Sequence, residues 1–234
     1  VTRASAPVVE LTGITKQYGA LRPLRIERLA VAEGEQVALV GLDQPAAEVF
    51  INLVTGATLP DSGEVRVFGR ATAEITDSGD WLATLDRFGI VSDRSALLDA
   101  LSVVQNLALP FSLEIEPPTS DIRSQATALA REVGLDERWW DTAAGRLDAP
   151  ARLRARLARA LALDPGVLLL EHPTATLPPD ARPELARDLR RVAGRRGVAA
   201  ISLTMDRTFA AAAGRTLTLE PTSGRLKRAW FRGL

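Results

Sequence analysis

An α/β fold carrying an inserted helical lobe is predicted by three features of this 234-residue chain. Gln36–Val40 is a β-rich run that passes through Gly41 into a helical pattern over Ala46–Val54, where Val49, Phe50 and Leu53 fall at helical spacing. Val167-Leu168-Leu169-Leu170 is too apolar for an edge strand and has the character of a parallel strand covered on both faces. From Leu101 to Gly145 there is no convincing strand, only helical patterns.

The elements follow in order. Val8–Leu11, Leu24–Val31, Gln36–Val40, Glu64–Phe68 and Phe88–Ser92 are short β-branched or alternating runs separated by turns, and each reads as a strand. Helical spacing recurs at Ser102–Leu109, Asp121–Val133 and Glu137–Ala144. Asp148-Ala149-Pro150 supplies a capping residue and an early proline for a helix whose Leu153, Leu157 and Leu161 share a face until Asp164-Pro165-Gly166 stops it. After the apolar strand come a helix at Pro179–Val192, a strand at Val198–Leu203, a helix at Asp206–Ala213 and strands at Thr216–Glu220 and Arg225–Trp230. The expectation is one domain, with 1–92 and 146–234 as the α/β core and 93–145 as the helical lobe.

With 46% hydrophobic and 25% charged residues, 17 glycines and 14 prolines, the composition is that of an ordinary globular chain long enough for a substantial core. Zero formal net charge argues against a nucleic-acid partner, because that interaction is driven by bulk positive charge. The longest charge-free stretch, Ala100–Leu113, contains Pro110 and falls short of the roughly 20 apolar residues of a membrane span. Val1–Leu11 lacks the apolar core, about 7–15 residues long, of a signal peptide. No cysteine is present for disulfides or thiolate metal sites. A cytoplasmic location is expected. Only Lys16 and Lys227 among the 29 basic residues are lysines, and His172, Met205 and Tyr18 are the single members of their types. Chemistry that needs paired imidazoles therefore has no candidates.

A strand, a glycine turn and a helix bind phosphate when the turn reads G-x-x-x-x-G-K-[ST]. Glycine amides and the helix N-terminus surround the phosphates, lysine neutralises them and the hydroxyl holds magnesium. Here the turn reads Gly41-Leu42-Asp43-Gln44-Pro45-Ala46-Ala47-Glu48, followed by Val49. Only the first glycine is present. By the spacing, Ala47 stands at the lysine position and Glu48 at the hydroxyl position, while Pro45 has no amide proton to offer. Neither Lys16 nor Lys227 lies in this turn.

Further landmarks surround it. Tyr18-Gly19 lies upstream; Pro60-Asp61-Ser62-Gly63-Glu64 follows the first helix; Ser95-Ala96-Leu97-Leu98-Asp99 runs on to Asn106-Leu107 at the start of the lobe. Ala158–Pro165 followed by Leu168-Leu169-Leu170-Glu171-His172-Pro173-Thr174 is the most specific segment. In this unbroken order, from about Val8 to Leu226, the chain resembles the nucleotide-binding subunit of an ABC transporter, with the lobe nearest to lipid-trafficking members. The resemblance implies a P-loop NTPase (RecA-like) core of the ABC ATPase type, with an antiparallel β portion and an inserted helical subdomain. In the family the cofactors are ATP and magnesium.

Against that resemblance the departures fall on the chemical positions. Asp93 stands where the family has glutamine, and Leu147-Asp148-Ala149-Pro150-Ala151 replaces the L-S-G-G-Q signature. Glu171 replaces the metal-orienting aspartate, His172 the general-base glutamate, Pro178 the aspartate of the following loop and Met205 the switch histidine. Tyr18 alone keeps its role, as the aromatic that stacks on adenine. If each lost charge-assisted contact to phosphate is worth about 1.5–3 kcal/mol, the changes remove about 5 kcal/mol or more, over a thousandfold in affinity. Stacking on Tyr18 returns only ~1–3 kcal/mol. Glu48 and Asp148 are expected to occupy the helix-end amides that phosphate would use.

These readings imply a subunit with no competent nucleotide site, no expected cofactor or metal, and only vestigial catalytic positions at Glu171, His172 and Met205. Tyr18 then reads as a packed turn residue, with an adenine platform as its alternative, and Arg152, Arg156 and Arg159 as a solvated helix face, with an anion or partner contact as theirs. Trp139-Trp140 should cover the core of the lobe. The Arg225–Arg232 stretch, with Trp230 and Phe231, should be a docked final strand rather than a membrane-surface patch. The resemblance further implies an integral membrane permease as partner, with a second ABC-type subunit as an option, at the cytoplasmic face of the inner or plasma membrane. The partner would enter a groove at Asp93, Arg94, Leu97 and Leu98, the two leucines serving as apolar anchors. Two other functions stay open: a weak or atypical ATPase subunit using Tyr18, Glu171 and His172, and a soluble regulator of the same fold without a membrane partner.

Overall fold

The computed structural model describes residues 6–228. An antiparallel sheet joins β1 (Pro7–Lys16), β2 (Leu24–Ala32), β4 (Ser62–Val67) and β5 (Arg70–Ala71) in the order β2-β1-β4-β5. The main sheet has the order β10-β9-β3-β8-β7-β6. It is built from β3 (Gln36–Val40), β6 (Phe88–Val91), β7 (Val167–Glu171), β8 (Ala199–Thr204), β9 (Arg215–Glu220) and β10 (Arg225–Arg228). Its neighbouring strands are parallel except β9 and β10. The helices are α1 (Gln44–Val54), α2 (Ser78–Leu85), α3 (Val103–Ala108), α4 (Ser120–Glu132), α5 (Ala149–Ala160), α6 (Arg182–Arg196) and α7 (Arg207–Ala211).

The apolar run of β7 is explained by coverage on both faces. Val167 and Leu169 pack with α1 and the antiparallel sheet, while Leu168 and Leu170 pack with α3, α4, α5 and α6. Each such side chain contributes about 1.5–3 kcal/mol through burial. The second of these clusters is continuous from Leu107 and Ala130 through Leu157 to Leu189, so α3 and α4 share a core with the sheet. Trp140 is buried in it and Trp139 packs against its edge, as expected. At Gly89 a Cβ would lie 2.4 Å from the carbonyl oxygen of Ala160, so β6 and α5 meet at a distance only glycine allows.

Three expectations need correction. The helix expected over Glu137–Ala144 is replaced by two single 3₁₀ turns, Glu137–Trp139 and Ala144–Arg146. The amides of Val103 and Val104 donate to the carbonyls of Thr142 and Trp140, at 3.1 and 3.0 Å, so those carbonyls serve the start of α3 instead of a continuous helix. Helix α2 was not expected, because it buries no residue and has no apolar periodicity; its signal is Asp77, which accepts from the amides of Gly79 and Asp80. Helix α6 begins at Arg182 rather than Pro179 and runs on to Arg196, ending at Gly197 in the left-handed conformation (φ 63°). Arg225 to Arg228 form β10, and Trp230, Phe231 and Arg232 lie outside the described residues.

Arg196 of α6 grips Glu132 of α4, donating through Nε at 2.7 Å and Nη2 at 2.6 Å. This bidentate contact holds the Glu132 carboxyl below the usual carboxylate range, against the opposing effect of burial. A depressed carboxylate contributes stability that is fully present above its unfolded pKa and is lost as pH falls through its folded value. Glu132→Gln should therefore flatten the acid limb of stability against pH in urea titrations; an acid limb identical to that of the native chain would refute the assignment.

Candidate functional site

The strand, turn and helix meet as expected at β3, Gly41 and α1, but the turn is closed by its own residues. Gly41 has φ 104°, and a Cβ there would lie 3.0 Å from the backbone oxygen of Leu219 on β9. Its retention is explained by backbone geometry and strand packing. Asp43 caps α1, its Oδ1 accepting from the amide of Ala46 at 3.0 Å. Pro45 lacks an amide proton, and the Ala47 amide donates to the carbonyl of Asp43 at 2.8 Å. Ala46 and Ala47 are buried in the core beneath the turn, and Val49 packs at its margin.

Glu48 does not take the helix-end amides; that expectation is corrected. It sits one turn further along α1 and forms an ion pair with Arg94. The second arm of Arg94 donates from Nη2 to Glu171 Oε2 at 3.0 Å, and Gln44 Nε2 donates to Glu171 Oε1. The side chain of Glu171 is 1% exposed, so its charge depends on these two donors. Arg94 thus bridges two carboxylates while its side chain stays half exposed. Arg94 and Gln44 stand among the candidate residues, but no periodicity or motif marks either as a partner of Glu171. The two lysines stay away from this turn, Lys16 pairing with Asp61 at 2.9 Å and Lys227 with Glu220 at 3.0 Å.

Tyr18 is half-buried at the edge of the core, beside a 170 Å³ cavity also lined by Arg22, Gly41, Asp43, Ala46 and Met205. Burial, and then the Asp43 carboxylate, push its hydroxyl above the ordinary tyrosine value. Met205 also lines an adjoining 350 Å³ cavity with His172, Thr174, Arg182, Thr204 and Asp206. His172 has φ 44°, and its Nε2 is buried with no hydrogen-bond partner. Asp206 caps α7 through the amide of Phe209 and pairs with Arg182 at 3.4 Å. Among the described residues no group of three or more His, Cys, Asp or Glu side chains converges as metal ligands.

At the signature segment Asp148 behaves as expected, its Oδ1 accepting from the amide of Ala151 at 2.8 Å to cap α5. Leu147 and Ala151 are buried, while Ala149 and Pro150 form the first turn. The adjoining arginines do not form a free solvated face. Arg156 donates to Asp93 at 2.7 Å, Arg152 to Asp99 at 3.0 Å and Arg159 to the carbonyl of Ala96 at 2.8 Å. Burial, followed by repulsion from Arg156, lowers the pKa of Arg159.

The segment 92–99 is therefore a built loop. Asn106, fully buried, accepts from the amide of Leu98 at 2.7 Å and donates to its carbonyl at 3.1 Å. Leu97 is 6% exposed and belongs to the core, so it cannot anchor a partner. Leu98 is 50% exposed and is available. Asp93 is exposed and paired with Arg156. Asn106 is a landmark of the sequence whose role in holding this loop is marked there only by a lone amide inside an apolar helix face.

A family model described as ABC transporter matches residues 24–175. The sulfate/thiosulfate import ATP-binding protein CysA of Methylococcus capsulatus is 32% identical over 204 residues, covering 85% of this chain and 56% of that protein. The lipoprotein-releasing system ATP-binding protein LolD of Geobacter metallireducens is 31% identical over 216 residues, covering 91% and 95%. The chain thus spans about half the length of the curated import proteins it matches and nearly all of the lipoprotein-releasing ones. Among solved structures, cbiO1 from Clostridium perfringens, part of the ABC transporter complex cbiONQ, superposes with a TM-score of 0.81 at 20% identity, over 95% of this chain and 88% of that chain. The matched region runs from β2 through the turn, the lobe and β7, and the likeness extends over the whole described fold: the chain belongs to the ABC transporter family.

Proposed function

We propose that this chain is a subunit of an ABC transporter complex that neither binds nor hydrolyses ATP in the ordinary way and acts as a structural or regulatory partner of a membrane permease at the cytoplasmic face. The observation that carries the reading is Arg94, whose guanidinium stands between Glu48 and Glu171. Against magnesium and a triphosphate the residues fit poorly. The carboxylate at the metal-orienting position is already neutralised by a tethered cation, the lysine position is a buried alanine, and Asp43 brings negative charge to the helix end where phosphate would lie. Repulsion at that end adds to the lost contacts. His172 Nε2 has no carboxylate or hydroxyl partner that would hold it as a general base.

The permease is proposed on family membership and on the exposed Leu98, held on a loop that its neighbours keep in shape. No helix among the described residues is long and apolar enough to cross a membrane, so attachment would be through such a partner. Titration of the isolated chain with Mg-ATP or Mg-ADP by calorimetry is expected to give no heat of binding up to millimolar nucleotide, and a phosphate-release assay no turnover. A micromolar dissociation constant would overturn the reading and favour an atypical ATPase. Failure of any permease to co-purify from the native cell would instead favour a soluble regulator.

A further inference from the structure

The segment between β6 and α3 is gripped from two sides. Toward the core, Arg94 joins it to Glu48 on α1 and Glu171 at the end of β7, and Ser95 Oγ donates to the carbonyl of Ile90 at 3.1 Å. Toward the helices, Arg152, Arg156 and Arg159 of α5 bind Asp99, Asp93 and the carbonyl of Ala96. A second set lies on the opposite flank. Arg154 of α5 reaches Glu184 at 2.7 Å and Asp188 at 2.8 Å on α6. Arg196 of α6 holds Glu132 of α4 in a fork and donates to the carbonyl of Leu161 at 2.8 Å.

An isolated exposed ion pair would fix nothing. These differ in two respects. Arg154, Asp188, Arg156, Arg196 and Glu132 are mostly buried, and Glu171 almost wholly so, which limits screening by solvent. The bridges also lie on both flanks of the unit formed by α3 and α4, running from 93–99 to α1, β7 and α5 and from Glu132 to α6. Any rotation of that unit on the core lengthens bridges on one flank or the other, and loss of the bridges at Glu171, Arg156 or Arg196 leaves a largely desolvated charge without its partner.

We propose that the helical lobe is locked to the core in a single orientation by these arginine bridges, so that the loop bearing Leu98 is presented in one conformation without any ligand. The lock is a property of the polypeptide itself and goes beyond the proposed loss of nucleotide chemistry. The lobe keeps a fixed geometry, and a docking partner meets a preformed surface.

Because the chain has no cysteine, a Thr12→Cys, Gln125→Cys pair places spin labels on β1 and α4 with no competing thiol. Distance measurements by pulsed electron resonance should give one narrow peak that does not move with millimolar Mg-ATP. Adding Arg156→Gln and Arg196→Gln should abolish the single narrow peak while far-ultraviolet circular dichroism keeps its native shape. A broad or bimodal distribution in the parent labelled chain, or an unchanged peak in the bridge variant, overturns the lock. If the bridge variant does not fold, Arg156→Gln alone and Arg196→Gln alone, each breaking the bridge on one flank, provide the same reading. Broadening there supports the lock and an unchanged width overturns it. A peak that shifts with nucleotide defeats the lock, whereas calorimetric nucleotide binding with no shift defeats only the proposed function.

Discussion

Arg94→Ala is expected to destabilise the chain by about 1–3 kcal/mol, several degrees in melting temperature for a domain of this size. Removing one member of a fully buried pair costs about 3–5 kcal/mol. Here Arg94 and Glu48 are both half exposed, which discounts their share. The main loss is that Glu171, wholly enclosed, keeps only the amide of Gln44. A double-mutant cycle isolates this: Glu171→Gln in the Arg94→Ala background should recover most of the loss, since an amide needs no cation. Additive effects of the two substitutions would mean that Arg94 stabilises the chain through something other than Glu171.

The second large effect separates two adjacent leucines. Leu98→Asp is expected to abolish co-fractionation with membranes while leaving the melting temperature nearly unchanged, because a half-exposed surface position tolerates charge within about 0.5 kcal/mol. Leu97→Asp, one residue earlier, should unfold the protein, since a carboxylate in the core costs several kcal/mol. Membrane fractionation and thermal melts of both variants test the pair. If Leu98→Asp still fractionates with membranes, the proposed mode of action is wrong.

The contrast between Leu97 and Leu98 also marks what the sequence could and could not convey. Strands such as β7 and β8 were legible because burial on both faces leaves a continuous apolar run, and α5 because its leucines repeat on one face between a capping aspartate and a proline-glycine stop. The departures of Gly41–Glu48 from the phosphate-turn pattern were equally legible, since each is a change of residue type at a known spacing. Which of two neighbouring leucines faces inward was not, because a loop has no periodicity to assign its faces. Nor was the bridging by Arg94, which is set by Glu48 and Glu171, respectively 46 residues before and 77 residues after it, and is visible only once α1 and β7 are side by side. The arginines of α5 misled for a related reason: periodicity identifies the face opposite the leucines but says nothing about what lies above it.

The caps supplied by Asp43 and Asp148 carry a consequence of another kind. A protein whose helix ends are completed by a bound anion owes part of its folding free energy to mass action, and its folded fraction rises and falls with ligand concentration. In this chain the carboxylates that complete those ends are covalently attached, at a concentration that no metabolic state alters. On the proposed function, its persistence in the cell is then insensitive to starvation or energy charge, and a complex assembled on it would keep its scaffold while adenylate pools collapse.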